Sequence, residues 1–374
     1  MEYGYARIST REQNEERQLI ALREFGRNDG QIILDKQSGK DFDRRGYRRL
    51  LRKLKDGDTL VIKSIDRLGR NYEEILEQWH VITKEKGAAR VLTVSRHPDP
   101  EKGELSYAEA VHSGADIVIN TTPAGMYPNV GVCHLDVAAM PGLEAVLDVV
   151  YNPDKTELIL RAEEAGVPVA VGGLEMLVAQ AVYAAEYFLD RKFDDAPAEI
   201  RAITAQLRKE QLNVALIGMP SCGKTTIGRA LADRLGKRFV DLDEEIVRAA
   251  GRSIPDLFAA EGEDGFRARE AEQTARFARE GRQVLSCGGG VVKRPENLRA
   301  LRQNGVVLFI DRPLDALTVG GGRPLSTSAE ALKTMEAQRR PLYLAAADAV
   351  IPNETTVADA VATALEALDA IFVH

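Results

Sequence analysis

Residues that could hold a chain of phosphates stand together in the C-terminal half of the sequence. Gly218 is followed, after four residues, by Gly223-Lys224-Thr225, and an apolar run from Val214 precedes them. Glycines let backbone N–H groups turn toward a phosphate, a lysine neutralises its oxygens and a hydroxyl suits Mg²⁺. This spacing predicts a phosphate-binding loop rather than a plain glycine-rich turn. The residues expected to contact phosphate are Gly218, Ser221, Cys222, Gly223, Lys224, Thr225 and Thr226.

Three further groups with chemical potential follow this loop. Asp241 and Asp243 share one face of an extended chain, where one could hold Mg²⁺ through water and the other accept a proton. The alternative for this pair is a solvated helix cap. Arg267 and Glu270 share a helix face, either as site residues or as a surface ion pair. The triple glycine 288–290 permits close backbone approach to a ligand.

Strand and helix patterns alternate along all 374 residues and predict an α/β protein with three tandem parallel-sheet modules. We place these modules at residues 1–87, 88–190 and 213–374, with 191–212 as a helical connector or a solvated linker. The strands expected in the first two modules are 3–8, 31–35, 59–64, 91–94, 116–120, 145–150 and 168–171. The helices expected in the first and third modules are 12–25, 46–55, 71–86, 227–235 and 244–250.

Composition limits the class of protein. A hydrophobic fraction of 44% and a charged fraction of 29% are typical of a folded, soluble chain. Three cysteines without metal-ligand spacing favour a reducing compartment and no zinc site. We see no secretion signal or membrane span and expect a cytoplasmic protein. Residues 1–87 hold 19 basic and 16 acidic side chains and the rest hold 31 and 41, which indicates different partners for the two parts.

Residues 213–368 resemble the shikimate kinases, which have a P-loop NTPase fold of the nucleoside monophosphate kinase type. The resemblance rests on the phosphate loop, Asp-x-Asp, Phe-Arg, the triple glycine and Gly-Gly-Arg-Pro-Leu, in that order. It implies transfer of the γ-phosphoryl group of ATP to the 3-hydroxyl of shikimate. A gluconate or nucleotide kinase would not account for the whole set of motifs.

The kinase resemblance also implies roles for individual residues. Lys224, Thr225 and Asp241 would serve the phosphates and Mg²⁺, and Asp243 would hold and deprotonate the shikimate hydroxyl. Arg323 would be the lid arginine. No arginine stands seven positions before Arg323, so we expect weaker binding of the nucleotide. The residues implied to bind the carboxylate and ring hydroxyls of shikimate are Arg267, Gly288, Gly289, Gly290 and Arg339.

The middle module resembles the C-terminal, NADP-binding half of shikimate dehydrogenases. The matching runs are 120–128 (Asn-Thr-Thr-Pro-Ala-Gly-Met-Tyr-Pro), 148–153 and 172–180. The resemblance implies shikimate contact through Tyr151 and Gln180, and it places Arg96 against the 2′-phosphate of NADP; an ordinary surface arginine is the alternative. No Gly-x-Gly-x-x-Gly turn precedes residue 91, and the family's substrate domain is missing. We therefore expect no dehydrogenase activity and no firm NADP site.

The first module resembles the catalytic domain of serine recombinases. The matching residues include Arg7, Ser9, Asp43-Arg44 and Asp66-Arg67-Leu-Gly-Arg70. In that family the serine attacks a DNA phosphodiester, and the arginines at positions 7, 44, 67 and 70 stabilise the phosphate. Capping of a strand end is the alternative for Ser9. Dehydrogenase-like sequence follows residue 87 where the family's DNA-binding parts would stand, although residues 89–94 could replace the lost core strand.

These patterns favour one function over two others. A shikimate kinase with shikimate and ATP as partners is the leading hypothesis. The alternatives are a DNA-cutting recombinase and a largely inactive fusion. We expect the recombinase-like side chains to be idle and DNA binding to be poor, because a fragment of net charge +3 can make few phosphate contacts.

Overall fold

The computed structural model describes residues 2–8, 32–36, 45–53, 55, 59–62, 92–102, 104–190, 192–317 and 328–373. Its chain divides into two compact units, Met1–Ser106 and Tyr107–His374. The predicted helices 12–25 and 71–86 lie outside the described residues, as do Ser9, Arg44, Arg67, Arg70 and Arg323.

The first unit contains a parallel sheet of three described strands. The strands are β1 (Glu2–Ile8), β2 (Ile32–Lys36) and β3 (Thr59–Ile62), in the order β2-β1-β3, and α1 spans Arg45–Lys53. These elements confirm the β/α alternation predicted for this part. The predicted strand 91–94 is described only at residues 92–94. These residues form no strand, and Val94 makes an isolated bridge with Leu105. Residues 89–91 lie outside the described residues, so their role as a replacement strand stays a prediction.

The second unit begins with a three-stranded parallel sheet in the order β4-β5-β6. One face of this sheet packs against buried apolar side chains of α3, including Leu158 and Ile159. Val178 and Val182 of α4 pack against Ala196 and Ile200 of α5. The elements are β4 (Ile117–Asn120), β5 (Ala145–Asp148), β6 (Val169–Val171), α2 (Tyr107–Val111), α3 (Glu157–Glu164), α4 (Leu174–Phe188) and α5 (Ala196–Gln211).

The segment between the second and third modules is a packed helix, so of the two alternatives the helical connector is confirmed. The carboxylate of Asp195 accepts a hydrogen bond from the N–H of Ala198 and caps α5. Pro197 stands in the first turn, where a missing N–H costs nothing.

A five-stranded parallel sheet forms the rest of the second unit, in the order β11-β10-β7-β9-β8. All five residues of β7 are buried, as expected for a central strand with helices on both faces. The strands are β7 (Asn213–Ile217), β8 (Arg238–Asp241), β9 (Gln283–Ser286), β10 (Gly305–Asp311) and β11 (Ala349–Pro352). The helices are α6 (Lys224–Leu235), α7 (Leu242–Ala250), α8 (Ile254–Ala278, interrupted at Gly262), α9 (Pro295–Gln303), α10 (Ala329–Ala346) and α11 (Val357–Val373).

Helix α6 lies close to the sheet because of Gly228. A Cβ atom at this position would stand 2.7 Å from the ring of Phe239 and 3.0 Å from Cδ1 of Leu216. Alanine would favour the helix by about 1 kcal/mol but would overpack this contact by ~1–3 kcal/mol.

We expect Gly228→Ala to lower the free energy of unfolding by about 1 kcal/mol, since overpacking outweighs helix propensity. Urea unfolding followed by circular dichroism measures this. Asp233→Ala, at an exposed position of the same helix, is the control and should change stability by no more than about 0.5 kcal/mol. An unchanged or higher stability of Gly228→Ala would contradict the close packing.

Candidate functional site

The loop between β7 and α6 has the backbone that binding of phosphate requires. Gly218, Ser221 and Gly223 have φ values of +144°, +62° and +99°. A Cβ atom on Gly218 would lie 2.6 Å from the carbonyl oxygen of Ile310, and one on Gly223 would lie 2.7 Å from Nδ2 of Asn353. Both glycines are therefore required by conformation and by space. Positive φ at these three positions of the loop turns its backbone N–H groups toward one side, which suits an anion.

Lys224 begins α6 and is buried. Its ammonium donates hydrogen bonds to the carbonyl oxygens of Gly218 and Met219, at 3.0 and 2.8 Å. The side chain therefore crosses the loop and places a positive charge inside its concave face. Its position agrees with the role predicted from the spacing.

Asp241 ends β8 beside the phosphate loop. The hydroxyl of Thr225 donates to Oδ2 of Asp241 at 2.9 Å and lies 3.5 Å from the hydroxyl of Ser286. The other oxygen of Asp241 accepts the N–H of Asp243 at 3.1 Å and caps α7. The prediction that both carboxylates lie on one face of an extended chain is wrong, because the strand ends at Asp241 and Asp243 lies in the first turn of α7. The cap and the position beside Thr225 are thus compatible, because the two carboxylate oxygens serve different partners. A metal-binding role for Asp241 stays a prediction.

Arg267 and Glu270 form a buried ion pair, so the alternative of a surface pair is wrong. Nη1 of Arg267 donates to Oε2 of Glu270 at 2.7 Å, and the two residues are 5% and 1% exposed. Periodicity placed both on one helix face but could not show that this face points inward. Oε1 of Glu270 has no hydrogen-bond partner among the described residues. Burial raises the pKa of Glu270 above its usual value, against the nearby charge of Arg267, which lowers it.

The triple glycine passes directly over this ion pair. A Cβ atom on Gly288 would lie 2.6 Å from Oε1 of Glu270 and 2.9 Å from Oδ1 of Asp243, and one on Gly290 would collide with the guanidinium of Arg267. The absence of side chains at these positions leaves the carboxylate and guanidinium groups facing the cleft.

The carbonyl of Gly289 is held by helix α10. It accepts hydrogen bonds from Nη1 of Arg339 at 2.9 Å and from the hydroxyl of Tyr343 at 2.5 Å. Burial raises the pKa of Tyr343. Tyr343 was missed at the level of sequence, although its spacing of four residues from Arg339 puts both on one helix face. The neighbouring Arg340 binds both carboxylate oxygens of Asp311, at 2.5 and 2.6 Å, and fixes α10 to the end of β10.

The phosphate loop, Asp241, the Arg267–Glu270 pair, the triple glycine and Arg339 line one cleft of about 490 Å³. Two predicted residues of the phosphate loop, Gly218 and Cys222, do not line it. A second cavity of about 450 Å³ shares Gly223, Thr226 and Arg312 with it. Tyr151 and Gln180 are exposed and do not line the cleft. Of the predicted site residues, the structure brings together at the cleft Ser221, Gly223, Lys224, Thr225, Thr226, Asp241, Asp243, Arg267, Gly288, Gly289, Gly290 and Arg339.

Comparison with known proteins identifies the family. A family model described as Shikimate kinase matches residues 220–369. The shikimate kinase of Symbiobacterium thermophilum is 42% identical over 167 residues, which are 42% of this chain and 96% of that protein. The chain belongs to the shikimate kinase family. A solved structure of a shikimate kinase from Acinetobacter baumannii in complex with shikimate is 33% identical and covers 45% of this chain and 96% of its own, with a TM-score of 0.41.

Other parts of the chain resemble other proteins. A family model described as Resolvase, N terminal domain matches residues 2–111, which confirms the predicted resemblance and extends it past residue 87. A chorismate mutase/shikimate 5-dehydrogenase fusion protein from Clostridium acetobutylicum is 19% identical and covers 56% of this chain and 98% of its own, with a TM-score of 0.31. The dehydrogenase-like interpretation of residues 88–190 rests on its sequence motifs. Among the helices that the structure describes, none has the length and apolar character needed to cross a membrane.

The raised pKa of Glu270 predicts a pH dependence of stability. The folded protein binds this proton more tightly than the unfolded chain, so stability is lost as pH rises from 4.5 through the raised pKa. The loss is at most about 1.4 kcal/mol per pH unit for one proton. Glu270→Gln cannot ionise and should flatten this part of the profile of unfolding free energy against pH.

Glu263→Gln serves as the matched control, because a hydrogen bond from Lys293 lowers the pKa of Glu263. Its contribution is present above the unfolded pKa and is lost only as pH falls, so this variant should keep the slope of the parent protein above pH 4.5. The same slope in Glu270→Gln as in the parent protein would contradict the raised pKa of this buried carboxyl group.

Proposed function

We propose that this chain transfers the γ-phosphoryl group of ATP to the 3-hydroxyl of shikimate. The observation that carries the proposal is the single cleft, which joins the phosphate loop to the buried Arg267–Glu270 pair and Asp243. Transfer of a phosphoryl group depends mainly on positioning and on neutralising charge, and both are provided here by residues on adjacent strand ends.

The nucleotide side of the cleft is formed by the phosphate loop. Its N–H groups and the ammonium of Lys224 would hold the phosphates at the N-terminus of α6. The hydroxyl of Thr225 lies 2.9 Å from Oδ2 of Asp241 and 3.5 Å from the hydroxyl of Ser286, and these hard oxygen donors fit Mg²⁺. When bound, Mg²⁺ would neutralise charge on the phosphates. No step of this proposed phosphoryl transfer uses NADP.

The substrate side presents two buried cations and a carboxylate. Arg267 and Arg339 carry the guanidinium groups suited to the carboxylate of shikimate. Asp243 lines the cleft beside the triple glycine 288–290, which we call the glycine wall. Its carboxylate would accept the proton of the hydroxyl group that receives the phosphoryl group. Because Gly288, Gly289 and Gly290 have no side chains, a ring could approach these groups closely.

Removal of the Lys224 ammonium should abolish most of the activity. We expect Lys224→Ala to lower the rate of shikimate-dependent ADP formation by about 10²–10³-fold, because one preorganised charge is lost at the transferring group. The control Lys333→Ala, on the exposed face of α10, should retain the parent rate. Equal rates for the parent protein and Lys224→Ala would overturn the proposal and favour a largely inactive fusion.

The glycine wall provides a test of the substrate side. We expect Gly290→Ala to displace the guanidinium of Arg267 and to raise KM for shikimate by about 10–100-fold, the value of a hydrogen bond to a charged group. KM for ATP should change little. Gly131→Ala is the control, since a Cβ atom there meets nothing within 4 Å. An unchanged KM for shikimate in Gly290→Ala would show that Arg267 does not bind this substrate.

Cutting of DNA through Ser9 is a second candidate, favoured by the match of residues 2–111 to the resolvase N-terminal domain. We expect the recombinase-like side chains to be inactive, because a fragment of net charge +3 can make few contacts with DNA phosphates. Incubation of the full chain with radiolabelled recombination-site DNA, with Ser9→Ala as control, should give no covalent protein–DNA adduct. An adduct that depends on Ser9 would establish the second function.

A further inference from the structure

Two loops of the dehydrogenase-like segment lie against the turn that joins α9 to β10 in the kinase sheet. The side-chain amide of Asn304 donates to the hydroxyl of Tyr127 at 3.1 Å, and its oxygen accepts the N–H of Asp154 at 3.0 Å. The carbonyl of Gln303 accepts the N–H of Lys155 at 3.0 Å. The contacting loops are those that follow β4 and β5, and they contain the motifs that marked this segment in the sequence.

Ion pairs extend the contact along α9. Arg299 donates to Glu157 at 2.9 Å and to Glu164 at 2.7 Å, near the two ends of α3. The side chain of Glu157 is 8% exposed, so its charge is taken largely out of water. Glu157 also accepts a hydrogen bond from Arg161 of its own helix at 2.8 Å, so loss of Arg299 would leave this buried carboxylate with one of its two cationic partners, which is costly.

The contact continues into the strand that carries the phosphate loop. The carbonyl of Asn304 accepts the N–H of Asn213, the first residue of β7, at 2.8 Å. At the end of α5, the carbonyl of Gln211 accepts the N–H of Arg282 at 2.8 Å, and the ammonium of Lys237 donates to the carbonyl of Leu212 at 2.7 Å. The dehydrogenase-like segment is thus tied to the kinase sheet both through Asn304 and through the connecting helix α5.

We propose that residues 107–212 are a stabilising module of the kinase, which folds and unfolds together with residues 213–373 as one cooperative unit. The module contacts the kinase at the turn that contains Asn304 and at the side chain of Arg299. Domains of one chain usually move and unfold separately unless their interface is extensive, so cooperative unfolding is the specific consequence expected of the combined contacts at Asn304, along α9 and at the end of α5. The module acts on the kinase from the end of the sheet opposite the cleft, and it needs no dehydrogenase chemistry.

Native-state hydrogen exchange of the full chain tests this, with MgADP as the ligand. A ligand at about 100 times its Kd lowers the population of the unfolded cooperative unit by about 100-fold. We expect the slowest-exchanging amides of the kinase and those of β5 and α3 to slow by this same factor. Slowing in the kinase alone would overturn the proposal.

The experiment with MgADP rests on the proposed nucleotide site. If MgADP does not bind, no amide will exchange more slowly, and this outcome differs from slowing in the kinase alone. In that case, substitutions at the interface test whether the module is coupled to the kinase.

Asn304→Ala and Arg299→Ala each remove part of the coupling, so α3 should then open while the kinase sheet stays folded. We expect exchange in α3, which matches that of the slowest kinase amides in the parent protein, to become faster than theirs by on the order of tenfold, as for the loss of one or two hydrogen bonds. Arg302→Ala, from the same helix, removes contacts to the carbonyls of Ala345 and Ala346 within the kinase and should not make exchange in α3 faster than that of the kinase amides. Equal exchange in α3 for the parent protein and both interface variants would contradict the docking.

Discussion

Parallel pairing of β7 with β9 is the constraint on which the cleft depends. In this register Leu216 stands opposite Ser286, and the carbonyl of Leu216 accepts the N–H of Cys287 at 3.0 Å. The loops that follow the two strands must therefore emerge side by side. One carries the phosphate loop and the other carries the triple glycine, so both loops line one cavity. Asp241 joins them because β8 pairs with the outer side of β9.

The buried charges around this cleft have hydrogen-bond partners, with two exceptions among the described residues. Lys224 donates to loop carbonyls, Arg267 to Glu270, and Arg339 to the carbonyl of Gly289. Oε1 of Glu270 and Nε of Arg312 have no hydrogen-bond partner within the described part of the chain. Perturbed carboxylates concentrate at functional sites, where stability is given up for preorganisation. The glycines contribute to the same balance, because any side chain on Gly288 or Gly290 would occupy the space of a charged group.

Sequence predicted the parts of this site that depend on local spacing. The phosphate loop and Asp241 could be found because strand, turn and helix N-terminus follow one another directly. The inward direction of Arg267 and the role of Tyr343 could not, since Tyr343 meets Gly289 across 54 residues. Likewise, the contact of Asn304 with Tyr127 joins residues 177 positions apart and follows no local pattern. Most predicted strands are present, with ends shifted by one or two residues where hydrogen bonding, rather than hydropathy, ends the strand. The predicted strand 91–94 is not, because its described residues make only an isolated bridge between Val94 and Leu105.

Phosphorus NMR of the purified full chain with ATP, Mg²⁺ and shikimate would show whether one cleft serves both ATP and shikimate. We expect ADP and one new phosphomonoester on the 3-hydroxyl of shikimate to form in equal amounts, and neither to form when shikimate is replaced by its 3-deoxy analogue. Release of ADP at the same rate with and without shikimate, or no phosphomonoester at all, would show that the cleft does not join the two substrates.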